Sequence, residues 1–150
     1  MKQQRILDYY AACNAGDVAA LENMFTEGVV HFFLAPNLAP APVAGRRHLA
    51  RYWGKVQARF DGCWVVDNVL APAEGDEAVI EWTLFWTSPE NGQRIATRGA
   101  EWYVFEGELI KEIRAYYRQD HASSELQGFP YAERRWSHAG VEQSAVQPPA

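Results

Sequence analysis

From Cys63 to Gln119 the chain offers four runs suited to β-structure: "CWVVDNVLAPAEG", "EAVIEWTLFWTS", "RIATRGAEWYVF" and "LIKEIRAYYRQ". Each is rich in Val, Ile, Thr and aromatic residues, and the breaks between them are short turns marked by Gly75, by Pro89-Glu90-Asn91-Gly92 and by Gly107. Turns this short leave no room for crossover helices, so consecutive runs must pair antiparallel, as a meander. The long runs carry apolar residues on both parities, which predicts a curved sheet covered on one face by helices and on the other by a partner or a tail.

The helices that can cover such a sheet come first in the chain. Ile6, Tyr9, Tyr10 and Cys13 recur at helical spacing, Asn14-Ala15-Gly16 ends that helix, and Asp17 is placed to N-cap a second one carried by Val18, Leu21 and Phe25. Val29 to Leu34 reads as a strand, and the Pro-rich "APNLAPAPVAG" after it as a loop at a pocket mouth. From Gly45 to Phe60 a third and longest helix turns Leu49, Trp53, Val56 and Phe60 to one side, with Arg46, Arg47, Arg51, Lys55 and Arg59 on the rest. The fold class is therefore α+β: three N-terminal helices on a strongly curved, mainly antiparallel sheet. The expected organisation is one domain over 1–120, a packed extension over 121–138, and a disordered tail over 139–150, where "GVEQSAVQPPA" has little to bury.

A chain of 150 residues with 48% hydrophobic side chains can bury one core of its own. Lys and Arg number 14 against 19 Asp and Glu, and the basic residues are dispersed except at Arg46-Arg47 and Arg134-Arg135, which argues against a nucleic-acid partner. "MKQQRILDYY" lacks the apolar run of a signal peptide, and no apolar stretch approaches the roughly 18 residues of a membrane span, so a cytoplasmic protein without a membrane partner is expected. Cys13 and Cys63 fall in a helix and a strand as small core residues, not as a disulfide. His31, His48, His121 and His138 stand apart from one another with no metal spacing, and neither a Gly-rich phosphate loop nor a nucleophile elbow occurs. Neither a metal nor a cofactor is expected.

Three helices, a strand and a twisted meander, with "YYAACNAGD" at the front and "IKEIRAYY" on the last strand, resemble the NTF2-like cone fold in its SnoaL-like and ketosteroid-isomerase-like branch, over about Arg5 to Asp120. The resemblance implies a deep apolar pocket between helices and sheet. Laid on the ketosteroid-isomerase pattern Tyr-x-Ala-Ala-x-Asn-Ala-Gly-Asp, the first phenol, Tyr9, takes the position of the oxyanion-hole tyrosine. "GAEWYVF" takes the segment that in ketosteroid isomerases carries the second donor, a carboxylic acid kept neutral by an apolar site, at Glu101. The family's general-base aspartate aligns with Phe33, which cannot move a proton, and His31, two residues earlier on the same strand face, is the replacement base. Two related branches lose a residue here, since the acid of epoxide-hydrolase-like and SnoaL-like cyclase sites falls on Ala115; scytalone-dehydratase-like chemistry would draw on Tyr9, Tyr10, His31 and Glu101.

The expected catalytic set is Tyr9, His31 and Glu101. The expected ligand wall is Phe33, Trp53, Trp82, Tyr103, Ile113, Ala115 and Tyr117, with Ile113, Ala115 and Tyr117 sharing the inward parity of the last strand. Glu112, Arg114 and Tyr116 face out, where a homodimer interface is expected. Glu81 and Arg98 are positioned as a cross-strand pair on the hairpin's other face. These residues imply a cofactor-independent isomerase, dehydratase or cyclase acting on a small apolar, cyclic compound. The alternative is a noncatalytic ligand-binding or dimerisation module. Each residue also has a plain structural reading: Tyr9 and Tyr10 as core packing, His31 as a satisfied strand histidine, and Glu101 as a solvent-facing acid beside an inward Trp102.

Overall fold

The computed structural model describes residues 1–36 and 41–149; part of the Pro-rich loop expected at a pocket mouth, 37–40, lies outside them. Helix α1 spans Lys2–Ala15 and buries Ile6, Tyr9, Tyr10 and Cys13 on one side. It stops where Gly16 adopts φ 64°, a left-handed conformation that glycine enters without a Cβ penalty, and the Gly16 and Asp17 amides turn back to the Cys13 and Ala12 carbonyls at 3.1 and 3.0 Å. Asp17 then caps α2, Val18–Glu22, by accepting from the Ala20 amide at 3.0 Å. This helix is shorter than its sequence suggests. Phe25, expected on its buried face, instead opens strand β1, Phe25–Phe33, in which Thr26, Val29, Val30, Phe32 and Phe33 favour extended backbone on either side of Glu27-Gly28.

A two-residue strand β2, Val43–Ala44, precedes helix α3, Arg46–Phe60, which buries Leu49, Ala50 and Trp53. The meander follows as β3 (Cys63–Leu70), β4 (Glu77–Thr87), β5 (Arg94–Glu106) and β6 (Leu109–Tyr117). All six strands form one sheet in the order β2-β1-β6-β5-β4-β3. Only β1 with β6 is parallel, the chain having passed through α3 and the meander between them. Register places Phe33 beside Ala115, Ala115 beside Glu101 and Glu101 beside Ile80 on the inner face. One position along lie His31, Ile113 and Tyr103.

The outer face differs from expectation at two points. Glu81 stands opposite Ala100 and Arg98 opposite Thr83, so no Glu81–Arg98 pair forms. Arg98 instead reaches Asp67 at 3.7 Å and Glu125 at 2.7 Å, with its guanidinium 3.7 Å from the centre of the Tyr131 ring. Buried Asp67 accepts from the Thr83 hydroxyl at 2.6 Å and from the Ser137 amide at 2.7 Å, which fastens the C-terminal extension over β3 to β5. The segment expected as a disordered tail is docked as well. Gln147 accepts from the Val66 amide at 2.8 Å and donates to the Trp64 carbonyl at 3.0 Å, and the Ser144 hydroxyl donates to the Val66 carbonyl. Few apolar residues are needed for this, because the tail's side chains satisfy backbone groups of an edge strand that would otherwise lack partners. Both cysteines are free, Cys13 buried and Cys63 half-buried. Among the described residues no helix is long and apolar enough to cross a membrane.

Candidate active site

At the inner end of the sheet's concave face, β5 delivers the Glu101 carboxyl into an almost wholly buried position, 4% exposed. Its Oε2 lies 2.6 Å from the Tyr10 hydroxyl and 2.6 Å from the Tyr103 hydroxyl, and the two hydroxyls are 2.8 Å apart. The three oxygens form a triangle in which both phenol donors are used in either protonation state of Glu101 and all three edges carry a proton only when it is neutral. With Glu101 ionised, both phenols donate to Oε2; with Glu101 neutral, carboxyl, Tyr103 and Tyr10 each donate once around a ring. Burial raises the Glu101 pKa from 4.5 to about 7, against the opposing pull of the two phenol donors, which favour the charged form. Burial also holds both phenols well above their usual 10, so they remain protonated donors.

The phenol that meets Glu101 from α1 is Tyr10, one residue beyond the one expected. Successive helical side chains diverge by about 100°, so adjacent phenols on one buried face cannot share a partner. Tyr9 turns its hydroxyl to the Cys13 thiol and packs edge-on against Phe25 and Tyr103, with ring centres 5.7 and 6.1 Å away. A spacing rule admits either residue to the buried face, and the direction of the hydroxyl is decided only when the helix docks.

His31 is fully buried and lies with its Nε2 3.9 Å from Glu101 Oε1, beyond hydrogen-bond reach. Among the described residues neither ring nitrogen has a partner in hydrogen-bond geometry, although the Phe32 backbone beside the ring weakly favours its charged form. The ring stacks on Phe33, centroids 4.3 Å apart, and meets Trp53 edge-on at 5.2 Å. Burial among these rings lowers its pKa from 6.5 to about 3, so at neutral pH the imidazole is uncharged. The group that titrates near neutrality is therefore the carboxyl and not the histidine, the reverse of the roles expected from ordinary pKa values.

His31 and Glu101 line one end of a cavity of about 250 Å³. Of the expected wall, Phe33, Trp53, Trp82 and Tyr117 line it; Tyr103 lies behind Glu101, and Ile113 and Ala115 are buried in the sheet floor without forming the lining. Sequence reasoning missed Tyr52, Trp64 and Trp86, whose aromatic character was visible but whose place on the wall depends on sheet curvature, and Arg59 with Gln119, which also line it. Among the described residues Glu101 Oε1, unlike Oε2, accepts no hydrogen bond, and the side chain lines the cavity. Among the described residues no three His, Cys, Asp or Glu side chains gather as a metal site.

A SnoaL-like domain model matches residues 6–113. The chain thus belongs to the SnoaL-like family, a branch of the NTF2-like fold that includes small-molecule enzymes. No curated protein matches it in sequence. Among solved structures it is similar to a protein of unknown function with cystatin-like fold from Methylobium petroleophilum PM1, at 29% identity and TM-score 0.70 over 99% of this chain and 95% of that one. A protein with ketosteroid isomerase-like fold from Catenulispora acidiphila DSM 44928, in complex with trimethylamine, shares 17% identity at TM-score 0.67, covering 78% of this chain and 87% of its own. The epoxide hydrolase/cyclase-like enzyme SalBIII, of pyran ring formation in salinomycin, shares 16% identity at TM-score 0.67, covering 79% and 91%. The last two likenesses establish the fold alone.

Proposed function

We propose that this protein is an acid-base enzyme of the isomerase, dehydratase or cyclase type, acting with its own side chains on a small cyclic carbonyl or hydroxyl compound in the aromatic cavity. The observation that carries this is Glu101: a carboxyl with one oxygen anchored by two phenols, the other free toward the cavity, and a pKa of about 7. A general base is most effective when its pKa lies near the working pH. In this reading Glu101 Oε1 removes a proton from the carbon next to the substrate carbonyl, and the bonding pair moves onto the carbonyl oxygen. Uncharged His31, whose ring nitrogens have no hydrogen-bond partner among the described residues, supplies an N–H to that oxygen. Returning the proton to a different carbon isomerises the substrate; passing it to a departing hydroxyl eliminates water. The cavity, about 250 Å³, falls below the roughly 300–1,000 Å³ of sites for drug-sized ligands, which favours one- or two-ring compounds.

The test is hydrogen–deuterium exchange at the α-carbon of 2-tetralone in D2O, followed by NMR. Wild-type protein is expected to accelerate exchange by about 10²-fold or more, the range of positioned acid-base catalysis, with activity rising through about pH 7 and abolished in Glu101→Gln. A second reading rests on Phe33 at the family's base position and on the uncharged state of His31: a ligand-binding module without turnover. Binding of 2-tetralone, seen as tryptophan quenching, with exchange no faster than in buffer would replace the enzyme by the module.

A further inference from the structure

The linear sequence disperses its 14 basic residues, but α3 collects some of them. Arg47, Arg51, Lys55 and Arg59 are four residues apart, so they form a ridge along one side of the helix, and all four are exposed. The helix sequence RRHLARYWGKVQARF contains no Asp or Glu. Among the described residues none of the four has a carboxylate within ion-pair distance, whereas Arg5, Arg46, Arg94, Arg98, Arg114 and Arg118 each have one.

Such a ridge works against the fold. Like charges at this spacing destabilise a helix, and a cation at the N-terminal end, where Arg47 stands, opposes the helix dipole. Only Arg59, in the last turn, favours the dipole, so helix stability does not account for the other three. The ridge ends at the cavity, where Arg59 and Gln119 line the wall. Phe60, next to Arg59, packs on Trp86, which is in register with Ile95, whereas Glu101 stands six residues further along β5 beside the uncharged His31, so the cationic and acidic groups lie at separate places on the wall.

We infer that the ligand of this cavity is a cyclic or aryl carboxylate, seated with its ring toward Glu101 and its carboxylate at Arg59, and that Arg47, Arg51 and Lys55 steer it to the mouth. The inference rests on the cavity being a small-molecule site, as proposed above, and adds the ligand's charge and orientation. An anion could not lie beside ionised Glu101, and a chain of net charge −5 repels anions unless a local positive field draws them in.

The experiment compares 2-naphthoate with 2-naphthamide, two probes of the same shape that differ in charge, by stopped-flow tryptophan quenching at about 10 and about 300 mM salt. At low salt wild-type protein is expected to bind naphthoate about fivefold more tightly than naphthamide, the strength of an exposed ion pair, and to lose the preference at high salt. Arg59→Gln should remove the preference by speeding naphthoate release. The triple variant Arg47→Gln, Arg51→Gln, Lys55→Gln should slow naphthoate association severalfold and leave its dissociation and all naphthamide rates unchanged. It should also melt at or above the wild-type temperature; a lower melting point would overturn the argument that the ridge opposes the fold. Equal affinity for the two probes at low salt would overturn the anionic ligand while leaving a small-molecule cavity intact, and failure of both probes to bind would overturn both readings.

Discussion

At the scale of single residues, the site turns on two buried groups whose pKa values move in opposite directions. Glu101 is raised from 4.5 to about 7, so between those values the folded state holds a proton that the unfolded chain has released, and stability falls as pH rises across the interval. His31 is lowered from 6.5 to about 3, so there the unfolded chain holds the extra proton, and stability falls as pH drops. Between about 4.5 and 6.5 the two slopes oppose each other and cancel. The expected outcome is that Glu101→Gln unmasks a rise of about 1.4 kcal/mol per pH unit over the His31 interval, and His31→Phe an equal fall over the Glu101 interval. Urea unfolding at a series of pH values reads both slopes, and parallel profiles for wild type and variants would refute the assignment. The phenols make a second prediction. Tyr10→Phe removes a donor to ionised Glu101 and should raise its pKa further, whereas Tyr9→Phe should leave it nearly unmoved; carbon-13 NMR of the glutamate carboxyls distinguishes them.

Secondary-structure elements set the cavity's dimensions through two local contacts. Trp64 on edge strand β3 is held by Asn14 of α1, whose side chain accepts from the Trp64 amide at 2.7 Å and donates to its carbonyl at 2.9 Å. Asn14→Ala should cost about 1–3 kcal/mol by leaving part-buried backbone groups without that partner, measured as a lower urea midpoint at unchanged slope. Gly99 lets β5 approach β6 beside the cavity. A Cβ there would lie 2.7 Å from the Tyr117 Cβ and 2.9 Å from both the Tyr116 carbonyl oxygen and a ring carbon of Trp82. Since Trp82 and Tyr117 are both wall residues, Gly99→Ala should lose about 1–3 kcal/mol through overpacking and bind cavity probes more weakly. Full stability with unaltered binding would show that the strands have room to separate.

Across the whole molecule, the outer face of the sheet is divided. The C-terminal extension covers β3 to β5 through Asp67, Arg98 and Ser137, leaving Phe32, Trp102 and Tyr116 exposed by 40%, 39% and 45% on β1, β5 and β6. Phe32 and Trp102 flank Arg114 in register, so aromatic and charged groups alternate across the open half. We propose that a second copy of the chain packs there, as the extension already occupies the rest of the face. Sedimentation equilibrium is expected to show a dimer that Trp102→Glu converts to a monomer; a monomeric wild type would refute it.

The order of elements and the α+β class were legible in the sequence, because they follow from local periodicity and turn chemistry that act within a few residues. So, through the family resemblance, were the inward parity of Ile113, Ala115 and Tyr117 and the inward setting of Glu101. Docking decided the rest. It chose Tyr10 over Tyr9, since a hydroxyl's direction depends on how a helix is rotated on the sheet. It moved titration near neutrality from His31 to Glu101, since a pKa is fixed by what surrounds a side chain in space. It also turned a polar tail into an ordered strap, because its partners are backbone groups 78 or more residues away along the chain.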